Sequence, residues 1–217
     1  MLQKKNFSWL LSALLVFLVV VPLAEDLGLI SARIMRVLMF SWLLFFGAWS
    51  LRGFGKFFPV GIGLGAAGIV LSILSASTPG DSYAISSFAA AFGFIVIAVW
   101  CTGSQVLVGN EISANRVTGA VSLYLLLGVL WAITYAMLEQ VSPDSFNGLS
   151  EPLSQGWSND WLYFSFVTMT TLGYGDITPV SATARTFAYL QAVFGQFYIA
   201  ILVAGLVSAY ISDRGRP

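Results

Sequence analysis

The sequence predicts an all-α membrane protein with six transmembrane helices and a short re-entrant segment between the fifth and sixth helices. Hydrophobic residues occupy 58% of the 217 positions and charged residues only 9%, whereas a soluble domain carries about 25% charged residues. Long apolar runs alternate with short stretches of charged and turn residues. Since about 20 apolar residues in a helix cross a bilayer, these runs are long enough to span it.

Six apolar runs predict the six helices. In chain order, they cover residues 7–23, 34–51, 58–76, 84–108, 117–138 and 185–212. The first run follows two lysines and is also compatible with a secretory signal, but its length favours a retained span. The third run contains GIGLGAAG, in which Gly61 and Gly65 form a pair of small residues that predicts close packing against another helix.

The basic residues orient the spans. With the N-terminus in the cytoplasm, seven of the ten basic residues lie on the inner side, and Arg33, Arg36 and Arg185 lie on the outer side. An excess of lysine and arginine in cytoplasmic loops is the usual bias of membrane proteins. We therefore expect a multi-pass protein of the plasma membrane with both termini in the cytoplasm.

The composition argues against several classes of function. The formal net charge is zero, which gives no reason to expect a nucleic-acid partner. The chain has no histidine, the commonest metal ligand and general base, and its single cysteine, Cys101, lies within an apolar run. Neither a cofactor motif nor a catalytic constellation is present in the sequence. We expect a protein that is not an enzyme and needs no cofactor.

The stretch between the fifth and sixth runs contains a segment of a different kind. Residues 161–170 (WLYFSFVTMT) are apolar but too few to cross a bilayer, and residues 171–176 (TLGYGD) follow directly. The two glycines cannot continue the helix, and non-helical backbone at membrane depth must be buried in protein or line a watery cavity. We expect a half-helix that enters the membrane and an extended strand that returns, with its carbonyl oxygens directed at a dehydrated cation.

The segment 171–176 resembles the selectivity filter of the tetrameric pore-loop potassium channels, with leucine where valine is commonest. The resemblance covers about residues 117–212. It implies that four chains build stacked rings of oxygen atoms that replace the hydration shell of K⁺. The residues implied to coordinate K⁺ are Thr171, Leu172, Gly173 and Tyr174, with Gly175 completing the strand. Bound K⁺, the lipid bilayer and three further copies of the chain are the implied partners.

The resemblance also implies roles for residues beside the filter. Thr170 lies at the end of the half-helix, where the negative end of the helix dipole favours a cation. Asp176 is expected to support the filter, and Tyr163 either donates its hydroxyl to Asp176 or only packs nearby. Val167 occupies a position where some members have glutamate, so a carboxyl pair with Asp176 is absent.

The last apolar run is expected to be the inner helix of the pore. Gly195 lies nineteen residues after Asp176, where the family often carries a glycine about which the inner helix bends. Close contact with another helix is the alternative reason for this glycine. Four residues are expected to line the cavity and the pore further in: Gln196, Ile199, Val203 and Val207.

The outer loop 139–160 contains acidic residues and no basic residue. Its four carboxylates belong to Glu139, Asp144, Glu151 and Asp160. Repeated around four chains, they would raise the cation concentration at the mouth of the pore. A solvated loop with prolines and glycines as helix breakers is the alternative, and the two interpretations are compatible.

The chain divides into a four-helix domain, residues 1–110, and a pore domain, residues 111–217, with an outer helix, pore helix, filter and inner helix. The first domain is similar to a voltage-sensor domain in span count, but residues 82–110 contain no charge. Because the electric field across a membrane acts only on charge, the membrane potential does no work on this span when it moves. We expect a homotetrameric potassium-selective channel with weak or no voltage dependence. A non-conducting receptor or accessory subunit that works in a complex is the alternative.

Overall fold

The structure is a computed structural model that describes residues 6–27, 41, 57–77, 81–108, 114–150, 157–205 and 208. The predicted second span, residues 34–51, lies outside the described residues except for Ser41. Val207, predicted to line the pore, also lies outside them.

The regular secondary structure of the described residues is helical apart from one pairing of two very short strands. Its elements are α1 (Asn6–Asp26), α2 (Phe57–Ser77), α3 (Asp81–Val108), α4 (Ala114–Val141), β1 (Phe146–Asn147), α5 (Asp160–Met169), β2 (Thr178–Pro179), α6 (Ala182–Phe197) and a π-helix (Tyr198–Val203). Helices α1 to α4 correspond to the first, third, fourth and fifth predicted spans. Helix α5 is the predicted half-helix, and α6 continues into the π-helix where the sixth span is predicted.

Two of the described helices are long and apolar enough to cross a membrane. They are Ile85–Leu107 within α3 and Ala114–Val141, which is α4. Shorter apolar helical segments cover Phe7–Val20 and Pro59–Leu74. The six-span topology stays a prediction, because it also depends on residues outside the described part.

Helix α4 lies at the centre of the packing, where α1, α3 and α5 all contact it. Leu126, Val129 and Ile133 of α4 are almost completely buried, as expected for a helix that is apolar on all sides. Helix α1 approaches α4 closely at Gly119, since a Cβ there would lie 2.9 Å from the ring of Phe7. The first helix therefore packs directly on the outer helix of the predicted pore domain.

The glycine-rich stretch of α2 packs against α3, as the sequence predicts. Gly61 and Gly65 are buried. The close approach to α3 lies one turn further on, where a Cβ at Gly68 would be 3.7 Å from the Cβ of Ala90. Small side chains on both helices allow this contact between backbones.

Arg116 joins the end of α3 to the start of α4. Its Nε donates a hydrogen bond to the carbonyl oxygen of Val106 at 2.5 Å, and its Nη2 donates to that of Leu107 at 3.2 Å. The last carbonyl groups of a helix have no partner within the helix and carry the negative end of its dipole. A guanidinium group therefore satisfies and stabilises the end of α3.

Candidate functional site

Helix α5 is anchored at its start by Asp160. The carboxylate accepts hydrogen bonds from the backbone N–H of Ser150 at 2.7 Å and from the Ser150 hydroxyl at 3.0 Å. A negative charge in the first turn also interacts favourably with the helix dipole. This acidic residue of the outer loop is therefore engaged in fixing the start of the helix that leads into TLGYGD.

Thr170 ends α5 and bonds back to its own helix. Its N–H and its hydroxyl both donate to the carbonyl oxygen of Phe166, at 3.0 and 2.7 Å. The hydroxyl of Thr170 is thus engaged within the last turn of α5. Any support that Thr170 gives to the filter must act through the end of this helix.

The backbone of residues 171–175 alternates between two conformations. Thr171, Gly173 and Gly175 have φ angles of 59°, 56° and 84°, whereas Leu172 and Tyr174 do not have positive φ. The predicted extended strand is therefore wrong, because a regular strand has negative φ at every residue. The two glycines adopt positive φ without steric cost. Thr171 does so against a penalty of about 1–2 kcal/mol.

Three amide groups of residues 171–175, which we call the filter segment after the prediction above, are bonded to α5. The N–H of Leu172 and that of Gly173 both donate to the carbonyl oxygen of Val167, at 2.9 and 3.3 Å. The N–H of Thr171 donates to the carbonyl oxygen of Thr168 at 3.0 Å. Among the described residues, no hydrogen bond is formed to the carbonyl oxygens of residues 171–174. The first three N–H groups of the segment are thus satisfied, and its carbonyl oxygens are free for a ligand or water.

Tyr163 and Asp176 form the hydrogen bond that the sequence suggests. The phenol of Tyr163 donates to Oδ2 of Asp176 at 2.5 Å. This bond lowers the pKa of Asp176 and, from the other side, raises the pKa of Tyr163 to about 12. The ring of Tyr163 also stacks on that of Tyr174, with the ring centres 6.4 Å apart. A side chain of α5 and two side chains at the outer end of the predicted filter are thereby brought together.

A short strand pairing holds the segment that follows the filter. Strand β1 pairs antiparallel with β2, with Phe146 opposite Pro179 and Asn147 opposite Thr178. Gly148 follows β1 with a φ of 87°, and a Cβ there would overlap the carbonyl oxygen of Asp176 and lie 3.0 Å from its carbonyl carbon. Sequence reasoning missed this role, since a loop glycine gives no signal of the backbone that lies against it.

Glu139 is buried at the turn that follows α4. Its side chain is 8% exposed. It accepts hydrogen bonds from the backbone N–H groups of Asp144, Ser145 and Phe146 at 2.8, 2.9 and 3.2 Å. The prediction of a solvated or cation-attracting carboxylate is therefore wrong for Glu139, because the turn after α4 offers it three donors. The carboxylate instead fixes the turn that leads into β1. Glu151 lies outside the described residues.

The inner helix contacts α5 at Gly195. This glycine is buried in α6, and a Cβ there would overlap the carbonyl oxygen of Met169 and lie 2.9 Å from its Cγ. The backbone is α-helical through Gly195 and changes to the π-helix from Tyr198 to Val203. The structure thus shows the contact between helices at this glycine, and the bend about Gly195 stays a prediction.

The residues predicted to line the pore are exposed where the structure describes their side chains. Gln196 is exposed, and Ile199 is 44% exposed. Val203 lies in the π-helix. Helix α6 also exposes large apolar side chains, namely Tyr189, Leu190, Val193, Phe194 and Phe197.

Sequence reasoning missed a buried polar group between α4, α5 and α6. Gln191 is 0% exposed and bonds to Tyr135 of α4 and Ser165 of α5. The available signal was an amide in an apolar run, which contains two such residues, Gln191 and Gln196. The sequence, however, does not show which face of α6 meets the other helices.

Comparisons with known proteins agree with these observations. Residues 120–212 match a family model described as an ion channel. Two-pore potassium channel 3 of Arabidopsis thaliana is 48% identical over 54 residues, which are 25% of this chain and 12% of that protein. Two-pore potassium channel 2 of the same plant is 35% identical over 100 residues, which are 46% of this chain and 20% of that protein. Inward rectifier potassium channel Kirbac3.1 of Paramagnetospirillum magnetotacticum is 31% identical over 97 residues, which are 43% of this chain and 28% of that protein.

These relatives are longer than the matched region, and this chain covers between 12% and 28% of their lengths. No solved structure matches the chain significantly. The matched model describes ion channels and not enzymes, and the helices α3 and α4 are of transmembrane length. The chain is therefore a membrane protein whose residues 120–212 are similar to an ion channel family and to parts of several proteins named potassium channels.

Proposed function

We propose that four copies of this chain form a potassium-selective channel that conducts K⁺ passively down its gradient. In this assembly, residues 171–175 of each copy surround a common axis and form the selectivity filter. One chain contributes one filter segment, and a single segment cannot surround an ion. Stacked rings of carbonyl oxygens replace the hydration shell of K⁺ in such filters.

The observation that carries the proposal is that the N–H groups and the carbonyl groups of the filter backbone differ in their hydrogen bonding. The amide groups of Leu172 and Gly173 bond to α5, while the carbonyl groups of residues 171–174 receive no hydrogen bond among the described residues. A carbonyl group that is removed from water needs a partner. Bound K⁺ supplies that partner for Thr171, Leu172, Gly173 and Tyr174, and the hydroxyl of Thr171 adds the innermost ring.

The surface of the single chain supports an assembly of several copies. Leu172 is 55% exposed and Tyr174 is 68% exposed, although both lie in the segment that must sit within the membrane. Phe194 and Phe197 are 43% and 60% exposed on the inner helix. Packing of four copies about one axis removes such apolar area from contact with water or lipid.

The same arrangement assigns roles to the residues around the filter. Tyr163 and Asp176 support its outer end, and Thr170 ends the pore helix below it. Gln196 and Ile199 line the cavity and the inner pore, followed by Val203 and Val207, and Gly195 lets the inner helix approach the pore helix. Residues 82–110 carry no charge, so conduction has little voltage dependence.

The names of the relatives support K⁺ as the permeating ion, because the three proteins described above are named potassium channels. The proposal further includes six spans, cytoplasmic termini and a plasma-membrane location. These features rest on the apolar runs and on the distribution of basic residues.

Ion flux from liposomes that contain the purified protein tests the proposal. We expect K⁺ efflux with much slower Na⁺ efflux for the wild type. Gly173→Ala should lower the K⁺:Na⁺ flux ratio, because alanine at a φ of 56° is strained by about 1–2 kcal/mol. Gly63→Ala is the matched control, since its Cβ would have no neighbour within 4 Å. Equal K⁺ and Na⁺ fluxes, or an unaltered ratio in Gly173→Ala, would overturn the proposal.

The molar mass of the particle in detergent tests the assembly separately. The chain has a mass of 23.4 kDa, so four copies have a protein mass of about 94 kDa. A monomer or dimer without K⁺ flux would instead favour the accessory-subunit alternative.

A further inference from the structure

Gln191 of the inner helix is hydrogen-bonded to two other helices. Its Nε2 donates to the backbone oxygen of Ser165 at 3.1 Å and to the Ser165 hydroxyl at 2.8 Å. Its Oε1 accepts a hydrogen bond from the hydroxyl of Tyr135 at 2.6 Å. Gln191, Ser165 and Tyr135 are each 0% exposed. One amide side chain therefore connects α4, α5 and α6 at a buried position.

The hydrogen bonds form a closed circuit. The hydroxyl of Ser165 donates to the carbonyl oxygen of Gly128 at 2.7 Å, which returns the chain of bonds to α4. Both N–H groups of Gln191 are engaged, and each of the two hydroxyl groups uses its single donor. Fully satisfied buried networks of this kind favour one relative position of the elements that they join.

The circuit includes the pore helix α5 just before its contact with the filter. Val167, two residues after Ser165 in α5, accepts the hydrogen bonds from the N–H groups of Leu172 and Gly173. A rotation or translation of α5 would therefore move the acceptor that holds these two amides. The position of α5 is in this way linked to the position of the carbonyl rings.

Among the described residues, Ser165 is the one side chain of α5 that is hydrogen-bonded to other helices. One further bond reaches the backbone of α5 from α4, since the hydroxyl of Tyr124 donates to the carbonyl oxygen of Met169 at 3.4 Å. The other buried side chains of α5 belong to Trp161, Leu162, Phe164 and Met169, which pack through apolar surface. Apolar contacts are non-directional and tolerate small shifts. Hydrogen bonds are directional, and they set the depth and rotation of α5 relative to α4 and α6.

We propose that Gln191 is a positioning residue of the selectivity filter, which acts through Ser165 and α5 to hold residues 172 and 173 in the K⁺-selective geometry. This inference rests on the proposed channel function. Gln191 lies in the second half of α6, so the circuit also connects the predicted inner helix to the filter. Its hydrogen bonds go to Tyr135 and Ser165 and not to the filter segment.

A purely structural role for Gln191 predicts a different outcome from a positioning role. If the amide only stabilises the fold, its loss lowers the melting temperature, and the channels that remain folded keep their selectivity. A positioning role requires that selectivity falls in channels that are still folded and tetrameric. The flux ratio of K⁺ to Na⁺, measured on the tetrameric fraction, separates these cases.

Two single variants and one double variant test the circuit. Tyr135→Phe removes one hydroxyl and keeps the ring, and Gln191→Leu removes all three hydrogen bonds of the amide. The double variant removes both partners of the 2.6 Å bond, and such paired apolar replacement is nearly neutral for stability. The matched control is Thr134→Val, whose lost bond to the carbonyl oxygen of Leu130 lies within α4 alone.

We expect the K⁺:Na⁺ flux ratio to fall about fivefold in Tyr135→Phe, a factor that corresponds to the net free energy of one hydrogen bond. The ratio should fall further in Gln191→Leu. The double variant should regain thermal stability relative to Gln191→Leu while its flux ratio stays low. Thr134→Val should keep the wild-type ratio.

Wild-type flux ratios in tetrameric Tyr135→Phe and in the double variant would overturn the inference and leave the proposed channel function intact. The same holds if selectivity and stability recover together in the double variant. An absence of K⁺-selective flux in the wild type would overturn the proposed function, and this inference with it.

Discussion

Replacement of Gly148 by alanine tests whether the loop after α4 fixes the outer end of the filter. Gly148 has a φ of 87°, and a Cβ there would overlap the carbonyl oxygen of Asp176. It would also lie 3.0 Å from the carbonyl carbon of Asp176 and 3.3 Å from the Cα of Ile177. All three atoms belong to the backbone, so no side-chain rotation relieves the contact.

Two contributions set the size of the effect. A left-handed conformation at a residue other than glycine costs about 1–3 kcal/mol. Forcing an additional carbon atom into a packed site costs about 1–3 kcal/mol more. The sum is about 2–6 kcal/mol if the backbone around Asp176 retreats. For a chain of this size, about 2 kcal/mol corresponds to a fall in Tm of at least about 4 °C.

The assay combines thermal unfolding of the detergent-solubilised protein with the liposome flux measurement. We expect Gly148→Ala to lower both the Tm and the K⁺:Na⁺ flux ratio, because the displaced backbone is the outlet of the filter. Gly63→Ala is the control, since a Cβ at that helical position would have no neighbour within 4 Å. A Tm and flux ratio equal to those of the wild type in Gly148→Ala would refute the close contact between this loop and Asp176.

Three further predictions concern the supports around the filter. The hydrogen bond from Tyr163 lowers the pKa of Asp176. The bond therefore stabilises the folded protein above the ordinary pKa of Asp, and this stabilisation is lost as the pH falls through the lowered pKa. Tyr163→Phe should thus shift the loss of K⁺ flux at acid pH to a higher pH, measured as a flux–pH profile. Gly195→Ala should lower the Tm by an amount that corresponds to about 1–3 kcal/mol, because its Cβ would overlap the carbonyl oxygen of Met169. Glu139→Gln should also lower the Tm, by about 1–3 kcal/mol in stability, because an amide cannot accept all three hydrogen bonds of the turn.

Each of these predictions has a matched control or a refuting result. Tyr189→Phe removes a hydroxyl from an exposed ring of the inner helix and should leave the acid limb of the pH profile unchanged. An identical acid limb in Tyr163→Phe and the wild type would show that the bond to Asp176 does not set it. An unchanged or raised Tm in Gly195→Ala would argue against the tight contact with α5. Wild-type melting of Glu139→Gln would mean that the turn does not depend on the carboxylate.

The helices were the most predictable part of the fold. Apolar runs at 58–76, 84–108 and 117–138 correspond to helices Phe57–Ser77, Asp81–Val108 and Ala114–Val141, because long apolar stretches in lipid satisfy their backbone only as helices. The half-helix at Asp160–Met169 was equally predictable, since glycines end it within a few residues. Helix α6 begins before the predicted start of the sixth span. Its first turn is stabilised by Ser181, whose side chain accepts a hydrogen bond from the N–H of Ala184 at 3.1 Å.

The connections around the filter could not be predicted from the sequence. A glutamate at the end of an apolar run suggested a solvated charge. Glu139 is instead buried, and its carboxylate accepts hydrogen bonds from three backbone N–H groups that only the folded turn brings together. Gln191 and Ser165 are 26 residues apart, and Tyr135 lies 56 residues before Gln191. Their meeting depends on the relative rotation of three helices, which apolar periodicity leaves undetermined. The π-helix likewise has no local sequence signal.

The most direct test of the account is a density map of the assembled protein in the presence of K⁺, with Rb⁺ replacing K⁺ in a second sample to identify ions by anomalous scattering. We expect a fourfold particle with ion density on its axis, at the levels of the carbonyl oxygens of Thr171, Leu172, Gly173 and Tyr174. A particle without a fourfold axis would contradict the account. So would a filter in which the carbonyl oxygens of Leu172 and Gly173 point away from the axis and no ion is bound between them.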